Sequence, residues 1–362
     1  MKPYAVRDAN ANAAVFDPSI VCPVSGQELF PDGDSLVTAD RQTRYPLDDG
    51  IPDLFVEREI GQAEASLPRP ASVTTKVRDF YDEAPFPNYN DMDNIGELVR
   101  RARKSVFARL LGEQIPVGSN VLEIGCGTGQ LSNYLAAVCM ARVYATDMTP
   151  ASLRLASKFA RDNGLAGIRL FRMNLFWPCI RPGSMDLVIS NGVLHHTADT
   201  RQAFLSIAPL VKPGGHIIVG LYNRIGRLRT DLRRLLYRRL GEGVLRLDPH
   251  LRKTLSPDKR RAWIRDQYCH PQERKHSFDE VLSWFNEAGF TFISSLPKIV
   301  GRFSADEHLF ERQPVGEKSD RLYAQIGMLL SQLGGEGGLF IMIGRAAERR
   351  TTTDQSSSNA CL

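Results

Sequence analysis

The residues with the most chemistry in this chain sit at the ends of short apolar runs. The first is Val121 to Gln130, VLEIGCGTGQ. It reads as a buried strand closing at Glu123-Ile124, a turn Gly125-Cys126-Gly127-Thr128-Gly129, and a helix opening near Gln130. Glycines let the backbone bend sharply and come close to a ligand. In an open α/β sheet the first strand-to-helix turn borders the ligand crevice. The spacing is G-x-G-x-G, and Gln130 stands where a dinucleotide fingerprint would place its third glycine. That favours a ligand other than a dinucleotide pyrophosphate and counts against a nicotinamide dehydrogenase.

Three more polar ends follow in order. Asp147 closes Tyr144-Ala145-Thr146-Asp147 and is followed by Met148. A carboxylate there can accept from both hydroxyls of a ribose, or cap the helix expected near Pro150. Asn174, in Met173-Asn174-Leu175, could read an adenine edge with Leu175 on its face, or form an Asx-turn. Asn191 ends a fourth apolar run, and Gly192-Val193-Leu194-His195-His196 follows it.

The elements that must position these groups are legible as an alternation. Val121–Ile124, Val143–Thr146, Ile168–Phe171, Leu187–Ser190 and Ile217–Gly220 read as buried strands. Gln130–Cys139, Pro150–Asp162 and Thr200–Leu210 read as the helices between them, which argues a parallel doubly wound sheet. Upstream, one helix is expected over Ile95 to Leu111. Downstream, a helix over Phe278–Ala288 ends on Gly289, and Phe290–Ser294 and Leu339–Gly344 are candidate strands.

VLEIGCGTG, YATDMTP, RMNLF, DLVISNGVLHH and LVKPGGHIIVG together make residues 118–223 resemble the core of class I S-adenosylmethionine-dependent methyltransferases. Within that family they are most similar to the ubiquinone and menaquinone biosynthesis branch. The resemblance implies a Rossmann-like α/β fold: a seven-stranded, mostly parallel sheet with helices on both faces, and one of the last two strands antiparallel. It implies S-adenosyl-L-methionine as the cofactor. Gly125 and Gly127 would meet the methionine portion, with Cys126 and Gly129 completing the turn. Glu123 would order the loop near the cofactor's amino group. Asp147 and Met148 would meet the ribose end, Asn174 and Leu175 the adenine, and Asn191 the strand-four edge. Asn174 departs from the Asp more usual in the family, although its amide oxygen can still meet an exocyclic amine.

A sulfonium methyl is already activated, so positioning supplies much of the rate. A base is needed only when the acceptor holds its proton. Candidates for that role are His195, His196 and Tyr222, with Asn223 beside them in the acceptor pocket. Either histidine could equally be structural. Amine and amide methylators of the family carry a polar-Pro-Pro-aromatic motif where this chain has Asn191-Gly192-Val193-Leu194, which argues against those acceptors. Upstream, the aromatic and Pro-rich segment from Phe80 to Tyr89 reads as a lid with Tyr81 inward, or as a surface loop.

Residues 224–275 carry 16 basic and 6 acidic side chains, against 6 and 12 in residues 1–70. Arginines and leucines over 224–240 make a basic amphipathic helix after the fifth strand. Its expected form is a solvated Arg face over a packed Leu face. A surface for anionic membrane or a lipid-like acceptor ranks second, and a nucleic-acid face last. Tyr268 and His270 are further acceptor-pocket candidates, with His276 nearby. Residues 1–70 read as a small β-rich module resembling a degenerate zinc ribbon. Cys22-Pro23-Val24-Ser25 lacks the second cysteine, so no metal is expected there.

The whole chain fits this reading. Its 362 residues, 43% hydrophobic and 24% charged, suit one large α/β domain with additions. Six cysteines are scattered without a C-x-x-C pair, and the first residues lack an apolar leader, so a cytoplasmic, reducing setting is expected. The expected organisation is the module at 1–70, the methyltransferase domain at 71–346 with a basic helical insertion at 224–275, and a disordered tail at 347–362. The expected function is methyl transfer to a small-molecule, lipid or quinone-like acceptor. A tRNA or protein methyltransferase is the alternative, and a non-catalytic S-adenosylmethionine-binding module the second.

Overall fold

The computed structural model describes residues 17–57, 73–83, 85, 94–248, 250–251, 257–304, 306–331 and 338–348. The linker expected at Ala63 to Pro70, residues 84 and 86–89 of the Pro-rich segment and the tail beyond Glu348 lie outside the described residues.

Four short strands open the chain: β1 (Leu29–Asp32), β2 (Ser35–Thr38), β3 (Arg44–Asp48) and β4 (Ile51–Pro52). They form an antiparallel meander. Its last hairpin turns on Asp49-Gly50, both at positive φ, the dipeptide that a tight two-residue hairpin loop favours.

The helices α1 (Val73–Glu83), α2 (Ile95–Ala102) and α3 (Val106–Gln114) follow. The single helix expected over Ile95 to Leu111 is two. The chain breaks at Arg103–Ser105, and the Ser105 hydroxyl caps the second helix by accepting from Ala108 N.

The main sheet then forms from β5 (Asn120–Ile124), β6 (Arg142–Asp147), β7 (Ile168–Arg172), β8 (Met185–Asn191) and β9 (Val211–Tyr222). Helices α4 (Gln130–Val138), α5 (Pro150–Asp162) and α6 (Thr200–Ile207) cross between them. Next come α7 (Leu228–Leu240), α8 (Pro257–Cys269), α9 (Phe278–Glu287), β10 (Phe290–Leu296), α10 (Lys318–Ser331) and β11 (Leu339–Ala346).

The strand order is β10-β11-β9-β8-β5-β6-β7. β5 to β9 pair in parallel, whereas β11 runs antiparallel to both β9 and β10. The order reverses between β5 and β8, so the crevice lies at the carboxyl ends of those strands.

Both faces of the sheet are covered, which is why its strands are apolar throughout. Val121, Leu187 and Ile218 pack with Phe107, Leu111 and Tyr134 on one side. Leu122, Val188 and Val219 pack with Phe204 and Phe285 on the other. The second cluster also takes in Cys22, Leu36, Tyr45 and Leu54, so the N-terminal meander shares the domain's core. It is held at the β7 end of the sheet: Leu54 N donates to Arg172 O at 3.1 Å, and Arg172 pairs with Asp53 at 2.8 Å. No helix among the described residues is long and apolar enough to cross a membrane.

The insertion after β9 departs from its expected form. α7 turns Arg233 and Arg234 inward, with Arg227 at its N-cap, and Leu228, Leu232 and Leu235 outward. Acidic partners on later segments, Asp248 and Glu273, draw the guanidiniums in.

Candidate active site

Alternation of glycine shapes the turn after β5. Gly125, Gly127 and Gly129 all have positive φ, and a Cβ at Gly125 would stand 2.5 Å from Val193 Cγ2. Only glycine leaves the backbone room there. The turn is tied down from both sides. Gly125 N and Cys126 N donate to Thr146 O at 2.8 and 2.9 Å, and Gly127 N donates to Asp147 Oδ2 at 2.8 Å.

Asp147 is fixed as firmly. Its Oδ1 accepts from Thr149 N at 2.9 Å and Thr149 Oγ1 at 2.6 Å. The helix cap is therefore Thr149, and Asp147 makes the Asx-turn before it. These bonds fix the orientation of the carboxylate at the edge of the crevice, which Asp147 lines. Burial raises the Asp147 pKa above the usual carboxylate range. Glu123, also buried, accepts from the Ser132 hydroxyl, and burial pushes it up to about 7. Neither carboxylate forms an ion pair with a cation of the chain in the described residues.

These groups line one cavity of about 450 Å³. Its cofactor-like wall is Glu123, Gly125, Cys126, Gly127, Asp147, Met148, Asn174, Leu175 and Asn191, nine of the ten residues expected there. The tenth, Gly129, is outside the wall: it caps α4, and a Cβ on it would strike Ala156 at 2.7 Å. Asn174 is engaged already, with Nδ2 donating to Val56 O at 2.8 Å and Oδ1 accepting from Phe176 N at 3.1 Å. It therefore faces the cavity while pinning the N-terminal meander.

The opposite wall comes from distant elements. α1 contributes Thr74, Val77 and Tyr81; the 3-10 turn after β8 contributes His196; β9 ends in Tyr222; α8 contributes Trp263 and Gln267. Tyr81 packs toward His196 with ring centroids 6.4 Å apart. Arg265 on α8 fastens α1, donating to Phe80 O at 3.0 Å and pairing with Glu83 at 2.6 Å.

Several expected pocket residues stand elsewhere. His195 is fully buried behind the wall, and neither ring nitrogen has a hydrogen-bond partner among the described residues. Burial drives its pKa well down, so it stays neutral and out of reach. His196 reaches the cavity instead. Its Nδ1 lies 2.8 Å from Gln272 O, a pure acceptor, so Nδ1 carries the proton and the acceptor lone pair is on Nε2. His270 stacks behind His196 at 3.7 Å, with its pKa lowered to about 2 by burial and then by His196. Asn223 is buried under the loop into α7, accepting from Ile225 N and Gly226 N and donating to Gln325. Tyr268 donates to Asp248 at 2.9 Å within the insertion's own core.

A buried network supports Tyr222 and carried no local signal in the sequence. Arg227 lies 3.7 Å from the Tyr222 ring, pairs with Glu273 at 2.9 Å and donates to Gln267 Oε1 at 2.7 Å. Gln267 Nε2 in turn donates to the Tyr222 hydroxyl at 3.1 Å. Burial alone would raise Glu273, but Arg227 and Arg234 hold it down at about 2. The partners are 40 and 46 residues apart in sequence, too far for any spacing rule.

Residues 122–219 match the model of the methyltransferase domain family. An uncharacterised protein of Synechococcus is 29% identical over 62% of this chain and 60% of its own length. A ubiquinone biosynthesis O-methyltransferase of Cupriavidus pinatubonensis is 34% identical over 30% of this chain and 43% of its own length. The chain thus spans about half the length of these curated relatives. A solved TehB-like S-adenosylmethionine-dependent methyltransferase of Corynebacterium glutamicum superposes with a TM-score of 0.38 at 15% identity, covering 70% of this chain and 98% of that one.

Proposed function

With a class I S-adenosylmethionine-dependent methyltransferase domain at its centre, the chain, we propose, transfers a methyl group to a small, apolar or quinone-like acceptor. One observation carries this reading: a single cavity joins the Gly125–Asp147 wall to the Tyr81, His196, Tyr222 and Trp263 wall. S-adenosylmethionine, when bound, supplies a methyl already activated on a sulfonium.

The residues fit that group. Gly125 and Gly127 line the cavity without side chains, Asp147 is a hydrogen-bond acceptor at its edge for a ribose, and Glu123 is a buried carboxylate that a nearby ammonium would stabilise. On the far wall, Tyr81, Tyr222 and Trp263 offer aromatic faces to a flat acceptor. His196, with its lone pair on Nε2, can take the proton of a hydroxyl acceptor. Closing the cavity with α1 and α8 would exclude water from the transfer.

The lipid-like acceptor is supported by the aromatic wall and by the similarity to a ubiquinone biosynthesis O-methyltransferase. A tRNA or protein acceptor has less support: four of the insertion's cations, Arg227, Arg233, Arg234 and Lys275, are engaged by Asp231, Asp248 and Glu273.

Calorimetric titration with S-adenosylmethionine, its demethylated product and NAD tests the first half. Saturation by the first two and not by NAD is expected, and silence from both would refute the cofactor reading. A labelled-methyl screen of lipid and aqueous extract fractions tests the second half. Label confined to RNA or protein would refute it.

A further inference from the structure

α7 and its N-cap Arg227 turn three guanidiniums inward, those of Arg227, Arg233 and Arg234, and leave leucines outside. Arg227 has no exposed surface, whereas Leu228, Leu232 and Leu235 are 51%, 58% and 48% exposed. Their spacing of four and three places them on one helical stripe. Leu240 and Leu247 extend it beyond the helix end.

α10 shows the same habit. Leu322, Tyr323, Ile326 and Leu330 are all exposed, Tyr323 by 80%. The two helices adjoin: Arg229 Nη2 lies 3.5 Å from Leu330 O, and a Cβ on Gly226 would stand 3.1 Å from Met328 Cβ. Half of the exposed large apolar side chains among the described residues fall on these helices and the turn after α7. Scattered apolar residues need no explanation, but a concentration of this kind marks a contact surface.

Its margin is basic. Arg224, Arg229, Arg239 and Arg246 are exposed around the leucines. A second copy presenting the same face would bring arginine against arginine, whereas an anionic surface would meet both leucines and cations. Tyr323 has the apolar body and polar tip that suit the depth of lipid headgroups.

We propose that the α7–α10 face docks on an anionic lipid bilayer, its leucines at the acyl boundary and its arginines among the phosphates. The face lies beside the acceptor wall: Tyr222 ends β9 just before α7, and Leu339 opens β11 just after α10, and both line the cavity. Docking concerns where the chain sits, and it holds whether or not the acceptor is a lipid.

The test is co-sedimentation of the full chain with vesicles of phosphatidylcholine, and of phosphatidylcholine and phosphatidylglycerol in equal parts. Pelleting with the anionic vesicles, weakened by salt, is expected. The double variant L232E/L235E should lower that partition at least about tenfold and leave S-adenosylmethionine titration unchanged. L322Q/I326Q on α10 gives an independent reading should the α7 variant fail to fold. The proposal is overturned if anionic vesicles pellet no more protein than neutral ones, or if both folded variants bind as the parent does. It is equally overturned if the face proves to join two copies, seen as a dimer in sedimentation velocity that L232E/L235E abolishes while vesicles bind nothing.

Discussion

Two buried glutamates, one in the cavity wall and one behind the wall opposite, respond to burial in opposite ways. Glu123, under the glycine turn, is pushed up to about 7 because no cation of the chain pairs with it in the described residues. Glu273, in the insertion, is held at about 2 because Arg227 and Arg234 clamp it. Desolvation is common to both, so the difference lies in the partner. The insertion wall is electrostatically complete. The wall beneath the glycine turn carries a carboxylate still short of its counter-charge, which is where a positively charged ligand gains most.

The largest expected effect breaks the complete wall. Arg227→Met should cost about 3–5 kcal/mol in denaturant unfolding, because Glu273 is left buried with half its pairing. A loss under about 1 kcal/mol would mean that Arg234 suffices alone. Glu273 itself, with its folded pKa below the usual value, contributes stability that is present above about 4.5 and lost as pH falls towards 2.

His196→Ala comes next. It should reduce turnover about a hundredfold with cofactor affinity nearly unchanged, while His195→Ala, behind the wall, should act on stability. Equal turnover losses would erase the distinction between the two rings.

Glu123→Gln probes the incomplete wall. The folded pKa of Glu123 is raised, so its contribution to stability is full below about 4.5 and lost as pH rises through about 7. Glutamine escapes that loss. The variant should therefore melt higher above pH 7, by about 2–3 kcal/mol, with the gain fading at low pH. Cofactor affinity should behave oppositely, climbing with pH towards about 7 in the parent and flat in the variant. No pH dependence in either would show that the carboxylate meets no cation. The smallest effect is Asn174→Ala, about 1 kcal/mol in stability from its bond to Val56.

How much of this could be read from the residues follows from how each wall is built. Glycine spacing, strand ends and the first turns of helices are local, so the mostly parallel sheet was legible, and nine of the ten positions expected on the cofactor side line one cavity. The acceptor side depends on contacts between distant segments. The sequence identifies 224–240 as an amphipathic helix but not which face turns inward, because Glu273 and Asp248, which decide it, lie beyond the helix. The adjacent pair His195-His196 shows the same limit: a 3-10 turn sends one ring to the cavity and its neighbour into the core. The break at Arg103–Ser105 is the converse case, a Ser cap visible in the sequence but overridden there by the apolar periodicity.

Asn174 faces the cavity and holds Val56 with the same amide. An occupant that stabilises this side chain also stabilises the clasp on residues 17–57, and the relation is reciprocal by thermodynamic necessity. Protease resistance of the amino-terminal meander then becomes a gauge of what the cavity holds, at a distance from the chemistry itself.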